Sequence, residues 1–219
     1  MKATKWKSYS LALIAGMSVL TACSSDDNND NGGNGNNGNG NEIENGTTLK
    51  GTITSDVTLT AGSTYKLSGE YIVEDGATLN IEAGVKIISI YDDIVDYILV
   101  KQGGKINAVG TSSAPIVMTS EKEEPGAWGG IHICGKAHTN AEGGKGSSEI
   151  GGATYGGNDD ADNSGTLKYV RVEYSGYAFD SEHEANGITF YGVGNGTTVE
   201  YCQAYKGSDD GFEFFGGSV

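Results

Sequence analysis

Two stretches late in the chain repeat one another. "LKYVRVEYSG" begins at Leu167 and "VEYCQAYKG" begins at Val199. Leu167 aligns with Val199, Tyr169 with Tyr201, Val170 with Cys202 and Val172 with Ala204. Apolar residues occupy the first, fourth and sixth places of both. Alternation of this kind puts one face of a strand inward. The alternation breaks after each tyrosine, which marks a bend. Strand, corner, strand and turn, repeated with similar residues, describe coils stacked in a parallel β-helix. The alignment turns Cys202 inward. A β-sandwich with two similar strands is the alternative.

The rest of the folded part agrees with an all-β class. Short β-branched and aromatic runs recur between Gly, Asn, Asp and Ser, as in "YIVEDGATLNIEAGVKII", "YILVKQGGKINAVG", "PIVMTS" and "GITFYGVG". Helical periodicity is almost absent, and regular short strands with turn signals point to an all-β protein.

The N-terminus carries an address. Residues 1–7 hold three lysines and no acid, and residues 9–20 are mostly apolar, too short for a spanning helix of roughly 20 residues. Leu20-Thr21-Ala22-Cys23 resembles the bacterial lipobox, which implies a signal peptide over residues 1–22 and a lipidated Cys23. Residues 23–46 then read as a tether. From Asp26 to Asn41 only Asp, Asn and Gly occur, a composition too polar to fold. Ser24-Ser25-Asp26-Asp27 resembles the export signal of Bacteroidetes lipoproteins, which implies the outer membrane and the cell surface. Outer-membrane lipid is thus the expected partner of acylated Cys23.

The formal net charge is −15. Loss of the three lysines of residues 1–22 makes it −18, and the five acids of residues 24–46 leave −13 for a single domain over 47–219. Arg171 is the only arginine. A domain this acidic excludes nucleic acid as a partner and favours neutral or cationic ones. Cys134 and Cys202 are expected as buried free thiols.

Five ordered stretches extend the argument: "VEDGATLNIEAGVKI", "AWGGIHICGKA", "YGGNDDADNSGTLKYVRVEYSG", "NGITFYGVGNGTTVEY" and "SDDGFEFFGG". Here the chain resembles the secreted and lipid-anchored right-handed parallel β-helix proteins common in Bacteroidetes. The resemblance implies an all-β, right-handed solenoid. It implies little about activity, since most members lack a defined one. Members usually continue past the last stretch, so the expectation is a domain incomplete at its C-terminus.

Four places can carry chemistry. Asp160, Asp162 and Ser164 alternate before Gly165, like the opening of a calcium loop with oxygen ligands at every second residue. The place where that loop needs glutamate holds Arg171, so a simpler Ca2+ turn competes with a solvated acidic loop. Asp209 and Asp210, with Asp180, are the candidate acids of a glycoside hydrolase, against a tight turn stabilised by Asp209. A polysaccharide lyase would need Arg171 as base. Last, eleven tyrosines of the folded part, including Tyr65, Tyr71, Tyr91, Tyr97, Tyr169, Tyr191 and Tyr201, can form rows for a glycan or protein partner, or pack as ordinary sheet residues. His132 alternates with Ile131 and Ile133 and should face out. The preferred reading is a cell-surface β-helix that binds without catalysis. The alternative is a carbohydrate-active enzyme.

Overall fold

The structure, a computed structural model, describes residues 41–180 and 183–219. The expected signal peptide, Cys23 and the Asn/Gly stretch up to residue 40 lie outside the described residues. Successive coils run in chain order. β1 (Asn41–Ile43) and β2 (Thr48–Ile53) open the stack. Next come β3 (Val57–Leu59) with β4 (Thr64–Val73), then β5 (Thr78–Ile81), β6 (Lys86–Ser89) and β7 (Tyr97–Val100). The fourth coil is β8 (Lys105–Val109), β9 (Ile116–Ser120) and β10 (Ile131–Cys134). An excursion follows, holding a small hairpin of β11 (Gly146–Ser147) and β12 (Thr154–Tyr155). The last two coils are β13 (Gly165–Lys168), β14 (Val170–Glu173) and β15 (Ile188–Tyr191), then β16 (Thr198–Glu200), β17 (Gln203–Tyr205) and β18 (Phe212–Phe215). β1 already pairs in parallel with β3, so the first strand precedes the boundary expected at residue 47.

These strands make three parallel faces of a right-handed β-helix, the hand that parallel crossovers take. The first face orders β1-β3-β5-β8-β13-β16. The second runs from the N-terminal half of β4 through β6, β9 and β14 to β17. The third runs from the C-terminal half of β4 through β7, β10 and β15 to β18. β4 serves two faces because it turns the corner at Gly69, whose φ of 70° suits glycine.

Apart from one shift between Leu49 and Gly51, where β2 meets β4, constant register stacks the inward residues into rows. On the first face Leu59, Ile81, Ala108, Leu167 and Val199 form one row. On the second, Tyr65, Ile87, Met118, Val172 and Ala204 form another. On the third, Val73, Val100, Ile133, Phe190 and Phe214 line up, and the last two rings stack at 5.1 Å and 13°. Each row is a continuous apolar ladder, and burying such side chains is the main term that holds a solenoid together. The repeat seen in the sequence is therefore one coil: Leu167 pairs with Val199 and Val172 with Ala204. Cys202 packs on the inner cluster, as its alignment required.

The corners at Tyr169 and Tyr201 are sharp because both residues take φ near 50° (51° and 54°). A left-handed conformation costs a non-glycine residue roughly 1–2 kcal/mol. The cost is offset locally, since the two rings stack at 4.6 Å and 7°, an arrangement worth about 0.5–1.5 kcal/mol. The backbone also stays paired through the bend: Tyr169 N–H donates to Glu200 O, and its carbonyl accepts from Ile116 N–H.

The excursion, residues 135–164, folds over the outer side of the third face. Ile150, Ala153 and Tyr155 there pack on Tyr97, Leu99, Cys134 and Tyr191 in a second buried cluster. This corrects the expectation for His132. Its side chain points away from the lumen, as alternation requires, but the residue is 0% exposed, because the excursion roofs it over. Cys134 is buried under the same roof, Cys202 is half-buried, and both are free thiols. The tyrosines divide in the same way. Tyr65, Tyr71, Tyr97, Tyr155, Tyr174 and Tyr191 are buried, so no single exposed row runs the length of the solenoid.

Candidate functional site

The connections between the second and third faces set the site. They span residues 68–69, 90–96, 121–130, 174–187 and 206–211 in successive coils, so the same corner is turned by very different lengths of chain. The ladder of strands constrains none of these loops, yet they stack. Gly129 N–H donates to Asp96 O at 2.7 Å, Gly126 N–H to Ser175 O at 3.0 Å, and Ser208 N–H to Ser175 O at 3.0 Å. Trp128, buried in the lumen, fixes the corner by donating from Nε1 to Glu173 O at 2.7 Å. The result is a continuous rim of irregular loops along one edge of the helix.

A cleft of about 320 Å³ opens in this rim, between Tyr91, Asp92, Asp93, Lys122 and Tyr177. The Asp92 carboxylate accepts from Ile94 N–H at 2.8 Å, which holds the loop closed on itself. Lys122 Nζ donates to the Tyr91 hydroxyl at 3.1 Å, lies 4.5 Å from the centre of that ring and pairs with Glu124 at 3.1 Å. The Tyr91 hydrogen bond, then Glu124, raises the pKa of this ammonium group. Tyr177 packs edge-on to Phe179 at 5.1 Å. Beneath the loop, Asp96 is buried. Its Oδ1 accepts from Gly69 N–H, its Oδ2 has no partner, and burial pushes its pKa up to about 6. The cleft thus offers two aromatic faces, two carboxylates and one cation already neutralised by a neighbour.

The rim ends in an acidic stretch. Asp180 accepts from His183 Nδ1 at 2.9 Å and from its backbone N–H at 3.0 Å. Asp209 and Asp210 are exposed in the loop before β18, and the Asp210 carbonyl accepts from Gly187 N–H. Glu213 follows on β18, in register with Thr189 and bonded by the Asn186 amide. Its pKa is pushed up to about 7, chiefly by burial, then by the charges of Glu149 and Asp210. Burial likewise raises the pKa of Glu149, which reaches over from the excursion.

Residues 51–219 match the family described as the pectate-lyase-like beta helix domain. The chain belongs to that family. No curated protein and no solved structure matches the chain. The family match and the three-faced coil agree, since both describe a parallel β-helix over nearly the whole described length.

Within this pectate-lyase-like β-helix the sequence-derived candidates separate. Asp180, Asp209 and Asp210 all fall on the rim, brought there by loops of successive coils. Asp162 and Ser164 come together, Ser164 Oγ donating to Asp162 Oδ2 at 3.1 Å. Asp160 instead accepts from the backbone N–H and Nδ1 of His138, at 3.0 and 2.7 Å. The segment also docks on the next coil, where Asn195 N–H reaches Asp160 O and Gly196 N–H reaches Asp162 O. Among the described residues no group of three or more His, Cys, Asp or Glu is arranged to hold a metal ion. Arg171 points outward, pairs with Glu173 at 2.7 Å and lies 4.6 Å over the Tyr205 ring. Sequence reasoning missed Glu149, Asn186 and Glu213, and the cleft at Tyr91, Lys122 and Tyr177. The signal that finds Asn186 and the cleft is the interval between second-face and third-face strands, which varies from coil to coil while the strands stay in register; Glu149 lies instead in the excursion between β10 and β13, and Glu213 on β18 itself.

Proposed function

We propose that this chain is a lipoprotein, held on the outer membrane through acylated Cys23 and spaced from it by the Asn/Gly tether, that binds a surface glycan without cleaving it. The cleft between Tyr91 and Tyr177 carries the binding reading. A sugar ring presents one apolar face and a ring of hydroxyls. Tyrosine faces match the first, and Asp92, Asp93 and the Tyr91 hydroxyl match the second. The lipobox at Leu20-Thr21-Ala22-Cys23 supports the anchor. Retention of the chain on a panel of immobilised polysaccharides tests the binding. Retention on one of them, reduced at least tenfold by Tyr91→Ala with Tyr177→Ala, is the expected result; full retention by the double variant sinks the assignment. Incorporation of labelled fatty acid, lost in Cys23→Ser, tests the anchor.

A carbohydrate-active enzyme is the second reading, and the raised pKa of Glu213 favours it. A carboxyl that titrates near 7 keeps its proton long enough to serve as a general acid, with Asp209 or Asp210 as the ionised partner. New reducing ends, lost in Glu213→Gln, would replace the binding reading with this one. Lyase chemistry has less support, because Arg171 is already engaged by Glu173 and Tyr205.

A further inference from the structure

We propose that Asp96 is the positioning residue of the cleft, and that a proton on its carboxyl seats the loop of residues 90–96 and tightens the hold on glycan in mild acid. This rests on the glycan-binding reading and adds a regulation of that site. The ladder fixes the loop at both ends. Ile90 N–H donates to Leu67 O at 2.9 Å, and Ile98 N–H, just past the loop, to Gly130 O at 3.0 Å. Residues 91–95 lie between and line the cleft. Their large apolar side chains stay in solvent: Tyr91 is 57% exposed and Ile94 58%. A loop that buries so little apolar surface is held weakly by packing and opens locally. Asp96 supplies the missing hold. Its backbone carbonyl accepts from Gly129 N–H of the coil after, at 2.7 Å, and its Oδ1 accepts from Gly69 N–H of the coil before. Ile94 rests on the same corner, where a Cβ on Gly69 would meet Ile94 Cγ2 at 3.4 Å. One residue thus ties three coils together beneath the cleft.

The other oxygen of this carboxyl is unsatisfied. Among the described residues, Oδ2 of Asp96 and Oγ of Ser89 are both buried without a hydrogen-bond partner, and each residue is 1% exposed. Ser89 still lies near enough to lower the pKa of Asp96. An ionised carboxylate offers only acceptors, and a buried charge short of partners is costly. A proton removes the charge and gives Oδ2 a hydrogen to offer to Ser89 Oγ, while Oδ1 goes on accepting from Gly69. The surrounding charges do not reverse this. On the same loop the charge of Asp92 opposes ionisation, and Asp93 is exposed. Glu70, next to Gly69, accepts from the Tyr97 hydroxyl at 2.9 Å. In the loop of the coil after, Glu121 pairs with Lys66, Lys122 pairs with Glu124, and Glu123 is exposed. His132 bonds the Gly129 carbonyl and takes a second proton only at about 4.

The seated loop holds this proton more tightly than a lifted one does. Burial pushes the pKa of the seated carboxyl up to about 6, against an ordinary value of 3.8 in solvent. Acid therefore favours seating: the gain sets in as pH falls through about 6 and is complete near 3.8. From about pH 7.5 to about pH 5 these two values give a gain of about tenfold. A lifted loop takes Tyr91 away from Tyr177, so apparent affinity falls with the fraction of chains that are seated.

The test compares the full chain with Asp96→Asn and Asp96→Ala. Asparagine keeps an acceptor for Gly69 N–H and offers a donor to Ser89 Oγ, so it imitates the protonated carboxyl; alanine offers neither. Hydrogen exchange by mass spectrometry, corrected for the intrinsic rate at each pH, reads the peptides that cover Gly69 and residues 90–96. In wild type these amides should exchange up to about tenfold more slowly at about pH 5 than at about pH 7.5. Asp96→Asn should be slow at both values and Asp96→Ala fast at both. Retention on columns of cellulose, xylan, chitin and mannan is the second readout. On the column that holds the chain it should follow the same order, with wild type held more tightly at about pH 5. Equal exchange of wild type at the two values, or the same pH trend in Asp96→Asn, overturns the inference and leaves glycan binding standing. Exchange that follows the order while retention ignores pH overturns the link between the loop and the glycan. Retention on none of the four columns sinks the glycan reading and this regulation with it, whatever exchange shows.

Discussion

His132 should make the domain sensitive to acid. Its ring is fully buried beneath the excursion, edge-on to Tyr97 at 6.1 Å and stacked on Tyr191 at 6.2 Å. Nε2 lies 2.7 Å from Gly129 O, so this nitrogen carries the proton and donates it. Nδ1 has no partner and would have to receive a second proton in a site with nothing to accept it. Burial therefore pushes the pKa down from 6.5 to about 4. In the unfolded chain the ring titrates near 6.5. Between these values the unfolded state binds a proton that the folded state refuses, so stability is lost as pH falls from about 6.5 to about 4 and then levels off. A difference of about 2.5 units at 1.36 kcal/mol each makes this about 3 kcal/mol. Asp96 and Glu213 work in the opposite sense. Their folded pKa values, raised to about 6 and about 7, favour the folded state as pH falls. The wild-type curve sums all three, so it does not isolate the histidine. Urea unfolding of wild type and His132→Leu, at about pH 7 and about pH 4, does. The variant loses the bond to Gly129 O at both pH values, a constant offset. On top of it, the variant should gain about 3 kcal/mol relative to wild type on going to about pH 4. Parallel curves for the two proteins would show that the ring takes up its proton in place, and would refute the argument.

Three further outcomes follow from packing. Gly165 sits at φ 117° with the Ile106 carbonyl oxygen where a Cβ would go, so Gly165→Ala should cost about 3 kcal/mol or more in urea unfolding. Trp128→Ala removes a 1% exposed ring from the lumen and its bond to Glu173 O, and should cost about 3–5 kcal/mol by the same measurement. Burial pushes the Cys134 thiol up to about 12 and raises the half-buried Cys202 as well. Both should react slowly with a thiol reagent in the native protein, Cys202 first, and at once in denaturant without reductant; a shortfall in denaturant would reveal a bridge.

The fold was legible where loop lengths happen to match. Along one inward row, Leu59, Ile81, Ala108, Leu167 and Val199 are one coil apart in space. In sequence the intervals between them are unequal: Leu59 to Ile81 is the shortest, and Ala108 to Leu167, which contains the excursion, is the longest. Each interval is kept for only a short way: Tyr65 and Ile87 share that of Leu59 and Ile81, Val73 and Val100 share that of Ile81 and Ala108, and from Leu167 to Val199 matching residues recur around a corner, because Tyr169 and Tyr201 turn it alike. Elsewhere the excursion and the rim loops break the period while the strands keep register. His132 shows the limit in one residue. Alternation with Ile131 and Ile133 gives its direction correctly. Its burial depends on Ile150, Ala153 and Tyr155, which arrive from a connection that no local pattern relates to β10.

The candidate site was hidden for the same reason that it exists. Register forces the backbone of each coil onto the one before it, so side chains on the three faces are committed to stacking. Tyr65 and Tyr71 illustrate this, since both fill the lumen. Only segments released from the ladder can place side chains for another purpose. They lie where one corner is turned by residues 68–69 in one coil and by residues 174–187 in another. Tyr91, Lys122 and Tyr177 meet across such segments although each comes from a different coil and none is near the others in the chain. Asp209, Asp210 and Glu213 are neighbours in the sequence, but Glu149 joins them only because the excursion folds back over the third face. In a solenoid, strand periodicity therefore reports the scaffold, and departures from it report the site.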